Sequence, residues 1–232
     1  DHAQHVANFT PGMGTNVRDS LDNYVDVADR MRDNTEKVAD VQRSDVAVVA
    51  WLNYDARPTS RRPGTRMWPV RRRRTRGPTV WRGSSRVCAR GAMSRAGLCI
   101  SSVSHSYGST TAGLAMLQVG EGVVDDHIYL ASPGSGADSV GALGVDPSHV
   151  WVSAVPEGDA VQGMGPDWSD FARDPQELEG IQHLSGDATG AQGYDPQPSS
   201  PVANHSSYFA PPKPGERNKV FDDICKVLGG AK

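Results

Sequence analysis

The chain has 232 residues, 37% of them apolar, and a formal net charge of −3 at pH 7. This length suits a globular protein with a sizeable core, and we expect a single domain over residues 1–232. No run of 18 apolar residues predicts a transmembrane helix, and the first residues, DHAQHVANFT, lack the pattern of a signal peptide, which favours the cytoplasm. The absence of an initiator Met indicates a processed form or a piece of a longer protein.

The first fifty residues alternate strand and helix signals. The apolar run VANF at 6–9 predicts a strand, and the stretch TPGMGT at 10–15 predicts a glycine turn. An amphipathic helix capped by Thr15 or Asn16 follows, and the apolar residues at helical spacing are Val17, Leu21, Tyr24, Val25, Ala28 and Met31. The continuous run VAVVAWL at 46–52 predicts a strand that is buried on both faces. This order is typical of a parallel α/β sheet.

The second half of the chain resumes the same rhythm. Strands are predicted at LCISSVS, HIYLAS and HVWVSAV, and helices at TTAGLAML and in the tail before Gly229. Residues 160–204 are rich in Gly, Pro, Asp and Gln, and they predict a long irregular insertion. The whole pattern predicts an α/β fold with a mostly parallel sheet flanked by helices.

The segment 57–97 departs from this pattern. It holds 13 of the 19 arginines and no acidic residue, whereas 11 basic residues stand against 27 acidic ones in the rest of the chain. Its Pro and Gly residues fit neither a helix nor a strand, although a crossover helix is expected at this point. An authentic basic arm that binds a polyanion and a segment shifted out of its reading frame both remain open. In either case we expect the segment to be irregular, exposed and cut first by proteases.

The stretch SVSHSYGST at 102–110 joins a predicted strand to a predicted helix. A nucleophile on such an elbow needs small residues two positions before and after it, and Ser104 and Gly108 meet that requirement around Ser106. The start of the following helix would favour a developing negative charge. An ordinary serine-rich turn is the alternative interpretation.

A nucleophilic serine requires a base and a group that orients the base, which follow it in the order acid, then histidine. Asp159 or Glu157 follows the strand HVWVSAV, and His205 precedes the last helix. The competing histidines are His127, His149 and His183. The first two lie at strand entrances, on the wrong edge of the sheet. The predicted catalytic set is therefore Ser106, Asp159 and His205, with Glu157 as the alternative acid.

Acyl transfer also requires hydrogen-bond donors for the oxyanion. The candidates are the backbone N–H groups of Tyr107, which follows the nucleophile, and of Met13 in the turn PGMGT. Phosphate binding by that turn ranks behind, because the turn has neither the P-loop nor the dinucleotide-binding pattern. Three cysteines without a CxxC pair indicate no zinc site or disulfide framework. We expect neither a metal nor a cofactor.

These motifs together resemble the bacterial α/β-hydrolase family of unknown function. The segments that carry the resemblance are PGMGT, VAVVAWLNYDA, SHSYGST, IYLASPGSG, LGVDPSHVWVSAVPEGD and NHSSYF, which cover most of 1–56 and 98–230. The resemblance implies an α/β-hydrolase fold with Ser106 as nucleophile, Asp159 as acid and His205 as base. Ser104 stands where the family has Gly, and the segment 57–97 does not match the family.

The expected reaction is hydrolysis of an ester or a related acyl bond of a small molecule through an acyl-Ser106 intermediate. The competing class is a binding module whose hydrolase site is silent and whose arginines bind a polyanion. We rank it second, and nucleic acid is not the expected partner, because a basic block without secondary structure supplies affinity but no specific readout. The sequence gives no oligomeric state.

Overall fold

The computed structural model of the chain describes residues 3–52, 97–155, 157–162 and 171–231. Its strands are β1 (His5–Thr10), β2 (Val46–Ala50), β3 (Cys99–His105), β4 (Asp126–Leu130), β5 (Val150–Ser153) and β6 (Gln182–His183). Its α-helices are α1 (Val17–Val38), α2 (Tyr107–Met116) and α3 (Lys219–Leu228). All of the basic segment 57–97 except its last residue lies outside the described residues, so the interpretations of that segment stay predictions.

The six strands form one sheet in the order β2-β1-β3-β4-β5-β6, and every neighbouring pair is parallel. Strand β3 lies in the middle of this order. Because all strands run the same way, their carboxyl ends meet at one edge, which is where α/β sheets bind ligands. The predicted fold class is confirmed.

Helices cover both faces of the sheet, as the alternation along β4 makes clear. Ile128 and Leu130 pack in one apolar cluster with residues of α1 and α3. Tyr129, which lies between them in the sequence, packs in a second cluster with Met116 of α2. Successive side chains of a strand point to opposite faces, so each cluster fills one face of the sheet.

Helix α1 begins as predicted, because the side chain of Asn16 accepts a hydrogen bond from the N–H of Asp19 at 3.0 Å. Its buried side chains are Val27, Met31 and Thr35, and α3 packs against this part of the helix: the Sγ of Cys225 lies 3.7 Å from the carbonyl oxygen of Met31. In the first half, three apolar side chains are 44–56% exposed: Val17, Leu21 and Val25. The predicted apolar face is therefore wrong for those three residues.

The prediction about strand β2 is also wrong. Strand β2 was expected to be buried on both faces, but it is the edge strand of the described sheet, and Val49 is 52% exposed. The expected irregular insertion at 160–204 includes the two-residue strand β6, which pairs with β5, and its role as an insertion stays a prediction. A continuous apolar run does not distinguish an edge strand from a central one, and two residues are too few to show an alternating pattern. No described helix is long and apolar enough to cross a membrane.

Candidate active site

Ser106 lies at the sharp turn between β3 and α2, at the carboxyl edge of the sheet. Its backbone has φ 55° and ψ −135°, a conformation that residues other than glycine rarely adopt. Its N–H donates to the carbonyl oxygen of Leu130 at 2.9 Å, which ties the turn to the end of β4. Strained backbone of this kind persists only where the surroundings enforce it, and it is common at functional sites.

The structure shows why residue 108 must be glycine and how the hydroxyl of Ser104 is accommodated. A Cβ atom at Gly108 would lie 2.2 Å from the carbonyl oxygen of Pro11, so no larger residue fits there without moving the loop after β1. Ser104 is fully buried, and its hydroxyl donates to the carbonyl oxygen of Ile128 at 2.9 Å. The neighbouring strand thus satisfies this hydroxyl group.

A buried network of serine hydroxyl groups binds the backbone of the turn at Ser106. The Oγ of Ser109 lies 2.5 Å from the carbonyl oxygen of Ser106 and 2.6 Å from the Oγ of Ser132. The Oγ of Ser132 in turn accepts the N–H of Gly134 at 3.2 Å. Buried polar groups that are fully hydrogen-bonded rigidify their surroundings, so this network helps to hold the strained conformation.

The glycine turn after β1 reaches Ser106 through Gly12. A Cβ atom at Gly12 would lie 2.7 Å from the Cβ and 3.1 Å from the Oγ of Ser106. The turn that carries the candidate donor Met13 therefore approaches the nucleophile closely, and the other candidate donor, Tyr107, is the first residue of α2. The roles of both N–H groups stay predictions. The sequence patterns did not identify Gly12 itself, although it belongs to the predicted glycine turn PGMGT.

His205 and Asp159 form a hydrogen-bonded pair. The Nδ1 of His205 donates to the Oδ1 of Asp159 at 2.7 Å, because a carboxylate only accepts, and the side chain of Asp159 has no exposed surface. The ring is thus held with its Nε2 available as a base. The side chain of His205 is 18% exposed, so this pair is open to solvent on the histidine side.

Asn204 joins the loop that carries the acid to the loop that carries the base. Its Nδ2 donates to the carbonyl oxygen of Glu157 at 3.0 Å and to that of Asp195 at 2.8 Å, while its own N–H donates to the carbonyl oxygen of Gly158 at 2.8 Å. These bonds fix Asp159 beside His205. The side chain of Glu157, the alternative acid, is on the exposed surface, and the carboxylate that His205 contacts is that of Asp159.

His105 connects the nucleophile to the base. Its Nε2–H donates to the carbonyl oxygen of His205 at 2.7 Å, and the two rings lie with their centroids 4.7 Å apart. Burial, together with the nearby His205, lowers the pKa of His105 to about 3, so its ring is neutral. Among the hydrogen bonds of the described residues, that of the His205 ring reaches Asp159, that of its carbonyl oxygen reaches His105, and none joins His205 to Ser106 Oγ; such a bond often closes only when substrate binds.

The structure keeps the competing histidines away from Ser106. His127 and His149 lie at the amino ends of β4 and β5, as expected, and the Nδ1 of His149 pairs with Asp126 at 2.8 Å. His183 is exposed on β6. Within the described ranges, no group of three or more His, Cys, Asp or Glu side chains is arranged to hold a metal ion.

Comparison with known proteins supports the same fold. A family model described as alpha/beta hydrolase matches residues 1–169, a range that contains β1 to β5, Ser106 and Asp159. His205 and α3 follow the matched range. No curated protein and no solved structure matches the chain.

Proposed function

Because the chain belongs to the α/β-hydrolase family, we propose that it is a serine hydrolase that cleaves an ester or a related acyl bond. The observation that carries the proposal is the pairing of His205 with the buried Asp159, on loops that His105 joins to the strained Ser106. A hydroxyl group is a weak nucleophile on its own, and this arrangement supplies both a base and the group that orients it.

The first half of the reaction forms an acyl-enzyme. The Oγ of Ser106 attacks the carbonyl carbon of the substrate while the Nε2 of His205 takes the hydroxyl proton. The resulting imidazolium is stabilised by the carboxylate of Asp159 and returns the proton to the leaving group as the bond to that group breaks. Water then repeats these steps on the acyl-Ser106 ester, releasing the carboxylic acid and restoring the hydroxyl group.

The negative charge on the carbonyl oxygen develops beside two sets of backbone N–H groups. Tyr107 begins α2, and the first N–H groups of a helix point outward with partial positive charge. The turn of Gly12 and Met13 approaches from the other side. Removing one such donor typically lowers kcat by about 10² to 10³. A small-molecule acyl compound is the proposed substrate. The insertion 160–204, of which residues 163–170 lie outside the described residues, would shape its pocket.

Labelling with a fluorophosphonate probe tests the proposal directly. The wild-type chain should be labelled, mass spectrometry should locate the adduct on Ser106, and Ser106→Ala should lose both labelling and ester hydrolysis by a factor of at least about 10³. Ser102→Ala is the matched control, because Ser102 is a buried serine of the same strand, away from the turn, and this variant should label normally. Equal labelling of the wild type and Ser106→Ala would overturn the proposal.

A further inference from the structure

A second side chain, that of Tyr208 three residues after His205, also binds the carboxylate of Asp159. Tyr208 lies in a short 3-10 turn, Ser207–Phe209, and is fully buried. Its hydroxyl donates to the Oδ2 of Asp159 at 2.9 Å, whereas His205 binds Oδ1. The two oxygens of the carboxylate are thus held by two residues three positions apart.

The direction of the Tyr208 hydroxyl is set by the main chain. The N–H of Val155, two residues after β5, donates to the Tyr208 oxygen at 2.8 Å. A phenol hydroxyl has a single proton, and with the Val155 amide on its acceptor side that proton is directed at Asp159. The sheet, the tyrosine and the acid therefore form one chain of hydrogen bonds.

We propose that Tyr208 is a positioning residue of the active site, which acts through Asp159 by fixing the orientation and the charge of that carboxylate. This inference rests on the proposed serine hydrolase function. With Oδ2 bound to Tyr208, the carboxylate cannot rotate away from His205, so the Nε2 of the base keeps a single direction. Small errors in the direction of a catalytic group reduce the rate strongly.

The charges around Asp159 agree with this role. Burial acts to raise the pKa of Asp159, but the interactions with His205, Tyr208 and His105 together outweigh it and lower that pKa below its ordinary value. The groups that face the carboxylate are His205 and Tyr208 from the turn and His105 from β3. Burial and the charge of Asp159 raise the pKa of Tyr208, so the tyrosine stays protonated as a donor.

The variant Tyr208→Phe removes the hydroxyl group and keeps the ring. Tyr129→Phe is the matched control, because Tyr129 is also fully buried and donates one hydrogen bond, to the carbonyl oxygen of Ser135 at 3.0 Å, on the other face of the sheet. The assay is the pH profile of ester hydrolysis, with each variant titrated by the fluorophosphonate so that rates refer to active sites. A residue with a merely structural role would change the number of active sites and leave the profile unchanged.

Without the Tyr208 donor, the carboxylate is more basic and the Asp159–His205 pair binds its proton more tightly. We expect the acid limb of kcat/KM to move to higher pH by roughly half a unit to one unit, and kcat to fall about tenfold at unchanged KM. Tyr129→Phe should leave the limb in place. Equal limbs in the wild type and Tyr208→Phe would overturn the inference.

Two further measurements keep the test decisive. If Tyr208→Phe does not fold, site-specific replacement of Tyr208 by 3-fluorotyrosine keeps the shape and strengthens the donor, so the limb should move to lower pH; an unmoved limb overturns the inference. The low-field proton NMR signal of the His205 Nδ1–H should shift in Tyr208→Phe and not in Tyr129→Phe. That signal needs no substrate, so it separates failure of the Tyr208 inference from failure of the proposed function, which Ser106→Ala decides.

Discussion

Gly12 lies directly against the nucleophile Ser106, and the variant Gly12→Ala tests that contact. The added methyl carbon would lie 2.7 Å from the Cβ of Ser106 and 3.1 Å from its Oγ. Carbon atoms in contact pack about 3.5–4.0 Å apart, so the two groups must separate by about 1 Å.

Both groups are held in place, because the carbonyl oxygen of Gly12 accepts the hydroxyl of Thr15 at 2.8 Å and Ser106 is bound on two sides. Its N–H is bound to the carbonyl oxygen of Leu130, and its own carbonyl oxygen to the hydroxyl of Ser109. Either the nucleophile or the loop after β1, which carries the candidate oxyanion donor Met13, therefore has to shift from its place. Since a misplacement of about 1 Å can lower a rate by about 10²-fold, we expect kcat/KM of ester hydrolysis to fall by about that factor in Gly12→Ala.

The control for this experiment is Gly141→Ala, because a Cβ atom at Gly141 meets no other atom within 4 Å. Hydrolysis of a p-nitrophenyl ester and the rate of fluorophosphonate labelling would be measured for the wild type and both variants, along with thermal unfolding. Gly141→Ala should resemble the wild type in all three. A folded Gly12→Ala protein that hydrolyses the ester at the wild-type rate would refute the argument that this loop carries oxyanion donors beside Ser106.

Three further predictions concern histidines and charge. The variant His105→Gln keeps a donor for the carbonyl oxygen of His205, whereas His105→Met, of similar size, does not. We therefore expect kcat of His105→Met to be about tenfold lower than that of His105→Gln, and equal kcat values would contradict this role. Burial lowers the pKa of His127 to about 3, so the unfolded chain binds more protons between that value and the ordinary 6.5, and stability falls as pH falls through this range. Urea unfolding at pH 6 and at pH 5 gives the change of the unfolding free energy with pH. In His127→Leu this change should be smaller than in the wild type by about 1.4 kcal/mol per pH unit, and equal changes in the two proteins would contradict the prediction. A polyanion held by the 13 arginines of 57–97 should dissociate steeply between low and moderate salt while hydrolysis of a neutral ester stays constant; DNA affinity that is independent of salt would remove that alternative.

Local patterns in the sequence predict the elbow and its strands well. The run LCISSVS ends one residue before β3 does, and Ser106 lies at the predicted strand–helix turn. Both depend on neighbours in the chain: a run of residues that favours a strand, and small residues where the backbone must turn sharply. The chain order of Asp159 and His205 predicts their pairing because the carboxyl ends of parallel strands share one edge.

The errors arise where burial depends on distant parts of the chain. Leu21 and Val25 lie roughly 80° and 120° from the buried Met31 around a helix of 3.6 residues per turn, and they are exposed, as is Val17 in the first turn. Strand β2 has the composition of a buried strand and lies at the edge of the described sheet. Helical spacing identifies residues that could share an apolar face. Which part of the helix another element covers depends on the tertiary structure.

His105 and Tyr208 were missed for the same physical reason. The Nε2 of His105 reaches a carbonyl oxygen 100 residues away, and the hydroxyl of Tyr208 reaches a carboxylate 49 residues away. A tyrosine three positions after a candidate base is a weak signal, since either residue alone is as common in a surface turn. The signal gains meaning only once the acid is placed, because a buried carboxylate requires donors for both of its oxygens. Ser206, Ser207 and Tyr208 all carry a hydroxyl donor within one turn of His205, so only the fold decides which of them meets Oδ2 of Asp159.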